Sequence, residues 1–462
     1  MNVVLLVIDS LRACSLSERD GAPPVTPFMQ RLNAETVWFN RAYASECWTL
    51  PSHCSLFTGL LPSQHGAHFQ TMSYANPAPT IAELLSSAGY HTEVVTRNFI
   101  FDGAIPGITR GFRQNTRLLS DRRGPNPFAL LIALAKPRVR RHINRTGFFH
   151  PFHKANRRFL ATFARAMMPA DGRTLEHTLE RMHRHRRDGT RYFIFCNLYD
   201  VHAPYPPTPT SILRPFWSLS GCLENLMLPL TMASLGAHTY LRPDFHLPEW
   251  SRHMLLGRYH RAIELMDAML ADFYTAARGS GLLDDTLLVV TSDHGEAFGN
   301  HGLYLHDASV YNTHLHVPLW IHHPQYPPAV VNDVVSTRDL FGLIRAVTHR
   351  TDLSETLLGP NYRAEHCVAL AEHFYYPHLD SIHPRYKQNI ATAIAYSDKV
   401  ILRRRGVERY DLRQDADEVA PASGSLADFE AACRRTGVSA TATSAAIGHL
   451  RRWCDAQEYA HR

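Results

Sequence analysis

The 462-residue chain has eight cysteines, none in C-x-x-C spacing, so it offers neither a dithiol redox motif nor a zinc-ribbon pattern. Several of these cysteines sit in apolar surroundings and read as reduced core residues. No apolar run is long enough to cross a bilayer as a helix. The first apolar run, Val3 to Ile8, is too short for a signal peptide and has no basic segment before it, so the expected location is cytoplasmic. Charge is nearly balanced, with 48 Lys and Arg against 42 Asp and Glu, and the net +6 is too small to argue for nucleic acid. Internal repeats are absent, which excludes solenoids and propellers. A 45% apolar fraction is ample for a core in a globular enzyme.

What is present begins with Thr286-Leu287-Leu288-Val289-Val290-Thr291-Ser292, a buried-type strand pattern that runs into Asp293-His294-Gly295-Glu296. It sets a carboxylate and an imidazole side by side at a strand end, where open α/β sheets bind ligands. One oxygen and one nitrogen donor also suit a divalent cation. Val3-Val4-Leu5-Leu6-Val7-Ile8 ends likewise in Asp9-Ser10. Either aspartate alone reads equally well as a helix cap or turn residue; together they can meet at one metal. In Cys47-Trp48-Thr49-Leu50-Pro51-Ser52-His53, Thr49 opens a helix-like run, where unpaired backbone N–H groups favour an anion. A hydroxyl there becomes a nucleophile when a cation or base lowers its pKa.

These segments carry a resemblance to the sulfatase family of the alkaline-phosphatase superfamily. The matching stretches, in family order, are Val7 to Arg12, Trp48 to His53, Thr58-Gly59 to His65-Gly66, Asp200-Val201-His202-Ala203-Pro204-Tyr205, Ser292 to Glu296 and His316-Val317-Pro318-Leu319. A late match runs from Lys399 through Glu408-Arg409-Tyr410-Asp411-Leu412. The resemblance implies an α/β/α sandwich with a large mixed, mostly parallel sheet and a small C-terminal α+β subdomain. It places a catalytic domain at 1–360 and the subdomain at 361–462. It also implies one divalent cation (Mn, Ca, Mg or Zn) on Asp9, Thr49, Asp293 and His294. By the same resemblance His202 faces the leaving-group oxygen and His306 the oxygens of the ester; His53 either contacts the same oxygens or packs beside the helix.

The departures matter as much. Arylsulfatases convert the Cys or Ser of a C/S-x-P-x-R motif to formylglycine; Thr49 stands at that position and cannot be converted. Cys47 lies two residues too early, and His53 replaces the motif's Arg. Ser10 stands where many members have a second metal-binding Asp, and Thr96-Arg97-Asn98 replaces a substrate-binding Lys/His stretch. A Thr nucleophile resembles the phospho-active branches instead. The expectation is a metal-dependent hydrolase or transferase of phosphate- or phosphonate-type esters. The alternatives are a sulfuric ester hydrolase without formylglycine and an inactive binding protein on the same fold.

Among the 29 histidines, His314, His316, His322 and His323 read as structural or surface residues in or near a strand, and His301 as a turn residue. Glu296 reads equally as a solvated turn residue and as a group orienting His294; Asp200 is expected to fix the His202 loop, and Asp267 to be structural. Helices are expected over 80–90 and 260–277, and a loose Ala/Ser-rich linker over 420–440 before a last helix. Inserts near 114–172 and 208–250 exceed what the family fold needs. Lys136 to Arg165 holds nine Lys and Arg, no acids and several Phe; Thr208 to Trp250 is apolar. They suit either a solvated basic helix and a packed insertion, or a lid that selects the alcohol part of the substrate, an amphiphilic phosphate or sulfate ester or a peripheral membrane contact being the matching partner.

Overall fold

The computed structural model describes residues 1–16, 25–103, 105–118, 171–203, 205, 247–306, 308–362, 367–375, 384–404 and 406–459. Nearly all of both inserts, including the basic-aromatic and apolar stretches, lies outside these residues.

The strands in chain order are β1 Asn2–Ile8, β2 Val37–Tyr43, β3 His91–Thr96, β4 Gln114–Arg117, β5 Tyr192–Leu198, β6 Thr286–Thr291, β7 Ala297–Phe298, β8 Tyr304–Leu305, β9 His316–His322, β10 Ala329–Val331 and β11 Val335–Ser336. They continue with β12 Val368–His373, β13 Ile390–Ala395, β14 Asp398–Arg403, β15 Gly406–Asp411 and β16 Ala422–Ser423. The main sheet has the order β10-β2-β9-β6-β1-β5-β3-β4, with β11 also on β2. β1 pairs in parallel with β5 and β6, and β3 in parallel with β5 and β4. Among the described residues of this sheet, only β9 runs antiparallel to its neighbours, β2 and β6. This is the mixed, mostly parallel sheet expected.

Every residue of β1 is buried, as a central parallel strand covered on both faces requires. Its side chains alternate between two cores. Val3, Leu5 and Val7 pack with residues of the helices Thr49–Thr58, Ile81–Ser87 and Leu340–His349. Val4, Leu6 and Ile8 pack with the helices Pro27–Glu35, Asp171–Arg187 and Glu249–Gly279. The result is an α/β/α sandwich.

The helix expected at 80–90 occupies Ile81–Ser87, with Thr80 and Glu83 forming its capping box and Gly89 at φ +83 beyond it. The helix expected from 260 begins earlier, at Glu249, and runs to Gly279. Asp267 on it accepts the backbone N–H groups of Phe28 (3.1 Å) and Met29 (2.7 Å), a structural role as expected.

Beyond residue 360, β12 to β16 form an antiparallel five-stranded sheet. The linker expected over 420–440 is corrected: Leu426–Arg435 is a helix, started by a Ser425–Asp428 capping box that the Ala/Ser-rich composition obscured. The last helix spans Ala440–Tyr459. Among the described residues, no helix is long and apolar enough to cross a membrane.

Candidate metal and nucleophile site

Parallel pairing aligns the C-terminal ends of β6, β1, β5 and β3, and the chemistry-bearing residues stand just beyond those ends. Asp9 follows β1, Asp293 and His294 follow β6, Asp200 and His202 follow β5, and Asn98 follows β3. Asp9, Asp293 and His294 are fully buried and bring one donor atom each within 4.8 Å of one another. His294 Nε2 lies 3.7 Å from Asp9 Oδ1 and 3.4 Å from Asp293 Oδ2. Its Nδ1 is bound to the Gly295 carbonyl at 2.9 Å, so that nitrogen carries the proton and Nε2 turns a lone pair inward. Gly295 is required here, because a Cβ would stand 2.2 Å from the Thr313 carbonyl oxygen.

Asp293 Oδ1 accepts the N–H groups of Ser10 (3.2 Å) and His294 (2.9 Å), while Oδ2 is buried without a hydrogen-bond partner among the described residues. Ser10 donates from a left-handed backbone, φ 67, an uncommon conformation for a non-glycine and one found at functional sites. Burial and the charge of Asp9 push the Asp293 carboxyl well above the usual range, and burial with His306 nearby pushes the His294 imidazole well below its own. An orphaned carboxylate oxygen, a second carboxylate and an inward lone pair together form a donor set that fits a divalent cation.

Thr49 is the first residue of the buried helix Thr49–Thr58, and its Oγ1 lies 3.4 Å from His294 Nε2. The hydroxyl is therefore brought to the same donors. Pro51 within the first turn leaves no helical donor unsatisfied, since the first N–H groups have no intrahelical partner.

His53 departs from the oxygen-binding expectation. One turn along the helix, its Nδ1 donates to the Thr49 carbonyl at 2.8 Å and lies 3.5 Å from Asp293 Oδ2. The ring is wholly buried, edge-on to Phe101 and Phe195, and burial lowers its pKa to about 4. A neutral imidazole turned inward supports Thr49 and Asp293 from beneath; it does not face an ester.

His306 and His202 do meet the centre. The His306 ring is 4.5 Å from that of His294 and 4.9 Å from that of His202. His202 stacks on Tyr199 and its Nδ1 is bound to the Ala203 carbonyl at 2.6 Å; burial lowers its pKa. Glu296 is fully buried, which excludes a solvated turn, and its partner is His306, not His294. Oε1 meets His306 Nδ1 at 3.0 Å, and Oε2 accepts from Tyr205 at 3.1 Å. Burial would raise its pKa, but the neighbouring imidazoles, His306 first, outweigh that and hold it low.

The strand-end pattern also gives a role to Asn98, which the motif reading placed only in the substituted Thr96-Arg97-Asn98 stretch. Asn98 Nδ2 donates to Asp9 Oδ2 at 3.0 Å while its Oδ1 accepts Ile100 N–H, fixing the carboxylate's direction. Its signal was positional, since it ends β3 as Asp9 ends β1. Asp200 is held by Arg97 Nη1 at 2.6 Å and exchanges backbone-to-carboxylate bonds with Asp171, which fixes the loop carrying His202. His301 stacks on Tyr311 at 3.6 Å, and His314, His316 and His322 bond backbone carbonyls as structural residues. Cys47 is buried with Sγ 3.6 Å from His373 Nδ1, in a separate group with Glu46.

Comparison with known proteins places the chain in a family. The profile of the sulfatase family matches residues 1–358, and the chain belongs to that family. Choline-sulfatase of Rhizobium meliloti (strain 1021) is 23% identical over 340 residues, covering 71% of this chain and 64% of that protein. Iduronate 2-sulfatase of Homo sapiens is 21% identical over 352 residues, covering 70% of this chain and 60% of that protein. The chain thus spans less than two thirds of the length of these relatives. Among solved structures, a phosphonate monoester hydrolase of Agrobacterium radiobacter superposes with a TM-score of 0.63 at 17% identity, over 98% of this chain and 96% of that one. A protein solved with its substrate D-glucosamine-2-N,6-O-disulfate superposes with a TM-score of 0.64 at 14% identity, over 98% of both chains. The fold is that of the sulfatases and phosphonate monoester hydrolases of the alkaline-phosphatase superfamily.

Proposed function

We propose that the protein is a metal-dependent ester hydrolase that cleaves phosphate- or phosphonate-type esters through Thr49. The carrying observation is the Thr49 hydroxyl at the head of a buried helix, 3.4 Å from His294 Nε2 and beside the Asp9–Asp293–His294 group. Asp9, Asp293, His294 and the Thr49 oxygen would hold one divalent cation, which when bound would supply Lewis acidity to the hydroxyl and to an ester oxygen.

The chain's own groups do the rest. Asn98 and Ser10 aim the two carboxylates. Thr49 Oγ1, its proton lost to solvent, bonds to phosphorus as the bond to the alcohol breaks. His306, held by Glu296, faces the ester's anionic oxygens, and His202 gives a proton to the departing alcohol oxygen. The negative charge of the ester raises the imidazole pKa that burial has lowered. Water then releases the phosphoryl group from Thr49; a second alcohol in its place would make the enzyme a transferase.

Support for phosphorus over sulfur comes from the nucleophile. A formylglycine hydrate expels sulfate by collapsing to the aldehyde, an exit that Thr49 lacks, and Cys47 is turned to His373 and Glu46 instead. Two structural neighbours are phosphonate monoester hydrolases by name. The second reading, sulfate-ester hydrolysis without formylglycine, is favoured by the names of the sequence relatives. Matched aryl phosphonate, phosphate diester and sulfate substrates decide between them, with the intact mass of the protein recorded during turnover. Phosphorus esters turned over faster, with unmodified Cys47, is the expected result. Multiple-turnover sulfate hydrolysis with inert phosphorus esters overturns the reading.

A further inference from the structure

A second group of donors lies at the other end of the sheet. Glu93 on β3 is a fully buried carboxylate on the face covered by the helix Asp171–Arg187. That helix presents His177, Arg181 and His185 at i, i+4 and i+8, one face of an α-helix, while His91 precedes Glu93 by two and shares its strand face. All converge on the one carboxylate. His185 Nε2 and His91 Nε2 each lie 3.9 Å from Glu93 Oε2, and His177 Nε2 lies 4.0 Å from Oε1.

Neutralising a buried carboxylate takes one cation, and Arg181 already provides it through Nε at 2.7 Å from Oε2. Thr116 Oγ1 donates to Oε1 at 2.7 Å as well. The imidazoles are surplus to that task. His185 is 5% exposed and its Nε2 faces the Glu93 carboxylate, while His177 Nε2 is buried without a hydrogen-bond partner among the described residues; His91, Glu93 and His185 bring one donor atom each within 4.8 Å of one another. Burying an unpaired ring nitrogen such as His177 Nε2 costs stability, and the Arg181–Glu93 pair does not offset it. Arg181 Nη2 approaches His91 Nε2 at 3.5 Å, so that lone pair also points inward.

We propose that His91, Glu93 and His185, with His177 at the margin, form a second metal site for a borderline divalent ion such as Zn(II), separate from the catalytic group. Bonds of about 2.0–2.1 Å in tetrahedral array separate donor atoms by roughly 3.3 Å, so the 3.9 Å gaps close with a small side-chain movement. Imidazole nitrogen with one carboxylate oxygen is a zinc-type donor set. The site is structural or regulatory in position: along β3, which ends at Thr96, Glu93 stands roughly 10 Å and His91 roughly 17 Å short of the C-terminal end of the strand. It ties the helix Asp171–Arg187 to β3. Arg181 competes with the ion for Glu93 through Nε, while its Nη2 is held separately by Gln114 Oε1 at 2.8 Å.

The test uses the full chain, stripped with chelator and titrated with Zn(II). Wild type is expected to retain one more ion per chain than His91→Ala/His185→Ala, and Zn(II) is expected to raise its melting temperature by more. Turnover at saturating catalytic metal stays within about twofold between the two. Arg181→Met, which removes the competing cation, is expected to bind Zn(II) more tightly; a purely structural ion pair predicts a destabilised protein that zinc does not rescue. Carbethoxylation of His91 and His177 in wild type, mapped by peptide mass with and without Zn(II), needs no variant to fold. Protection by Zn(II) supports the site. Equal stoichiometry in wild type and the double variant, or unprotected histidines, overturns it.

Discussion

Thr49 carries the heaviest demand on any single side chain, because the covalent route exists only through its Oγ1. Thr49→Ala is expected to fold, since the helix it begins is held by a fully buried face, and to lose about 10⁴-fold or more in kcat. Thr49→Ser keeps a hydroxyl and retains part of the rate. Wild-type turnover in the alanine variant would remove Thr49 from the mechanism. Asp293 is the matching residue on the metal side. In the His91→Ala/His185→Ala background the catalytic group alone is expected to hold one ion per chain, and Asp293→Asn lowers both metal content and turnover. The amide leaves the buried position near Oδ2 with less charge for a cation. Elemental analysis checks it, and undiminished metal in the asparagine variant counts against these ligands. At this scale the sequence was legible where donors were contiguous with strands, as at Asp9 and Asp293-His294. It was not legible where partners meet through folding. The Glu296–His306 bond spans the β7–β8 hairpin, and the inward turn of His53 depends on Phe101 and Phe195, remote in the chain.

Between residue and molecule, the nucleophile's helix owes its placement to the short helix that follows. His65, at the end of Pro62–His65, accepts Ala67 N–H at Nδ1 (3.0 Å), so the proton sits on Nε2, facing the Pro51 carbonyl (3.2 Å) and Ser55 Oγ (3.1 Å). Burial lowers the pKa of this neutral ring to about 3. The unfolded chain therefore takes up a proton near pH 6.5 that the folded state refuses until about pH 3. His65 stabilises the fold fully above pH 6.5 and loses that contribution as pH falls through the window, with a slope of up to about 1.4 kcal/mol per pH unit. Urea midpoints measured from pH 7 to pH 4.5 are expected to fall less steeply in His65→Gln than in wild type. Equal slopes would show that His65 takes up its proton without cost. Elements with strong periodicity or capping chemistry were readable from sequence, as β1, β3, β6 and the Thr80-capped helix show. The helix Leu426–Arg435 was not, because its Ala-rich composition reads as a linker unless the Ser425–Asp428 pair is given more weight.

At the scale of the whole molecule, the two sheets are joined at the segment that carries the nucleophile. β12 begins the second sheet, and its fully buried Glu372 reaches back across the chain. Oε2 accepts Ser63 N–H at 2.6 Å, and Oε1 meets Ser63 Oγ and His449 Nε2 at 2.7 Å each. The backbone N–H of Glu372 donates to the Ser45 carbonyl at 3.0 Å, so residues on either side of Thr49 are held by the C-terminal sheet. His449 adds the last helix to the same carboxylate. Removing this group leaves three donors without their acceptor, and a loss of about 2–4 kcal/mol follows for Glu372→Ala. Because Glu372 links the second sheet and the last helix to the segment that follows Thr49, the loss falls on the molecule and not on one part. Thermal unfolding of the variant, followed by tryptophan fluorescence and far-ultraviolet circular dichroism, is expected to stay a single coincident transition at lower temperature. Turnover falls as well, since the backbone flanking Thr49 loses an anchor. Two separated transitions, with the catalytic residues unaffected by the first, would show instead that the C-terminal sheet is an independent unit and that Thr49 is positioned without it.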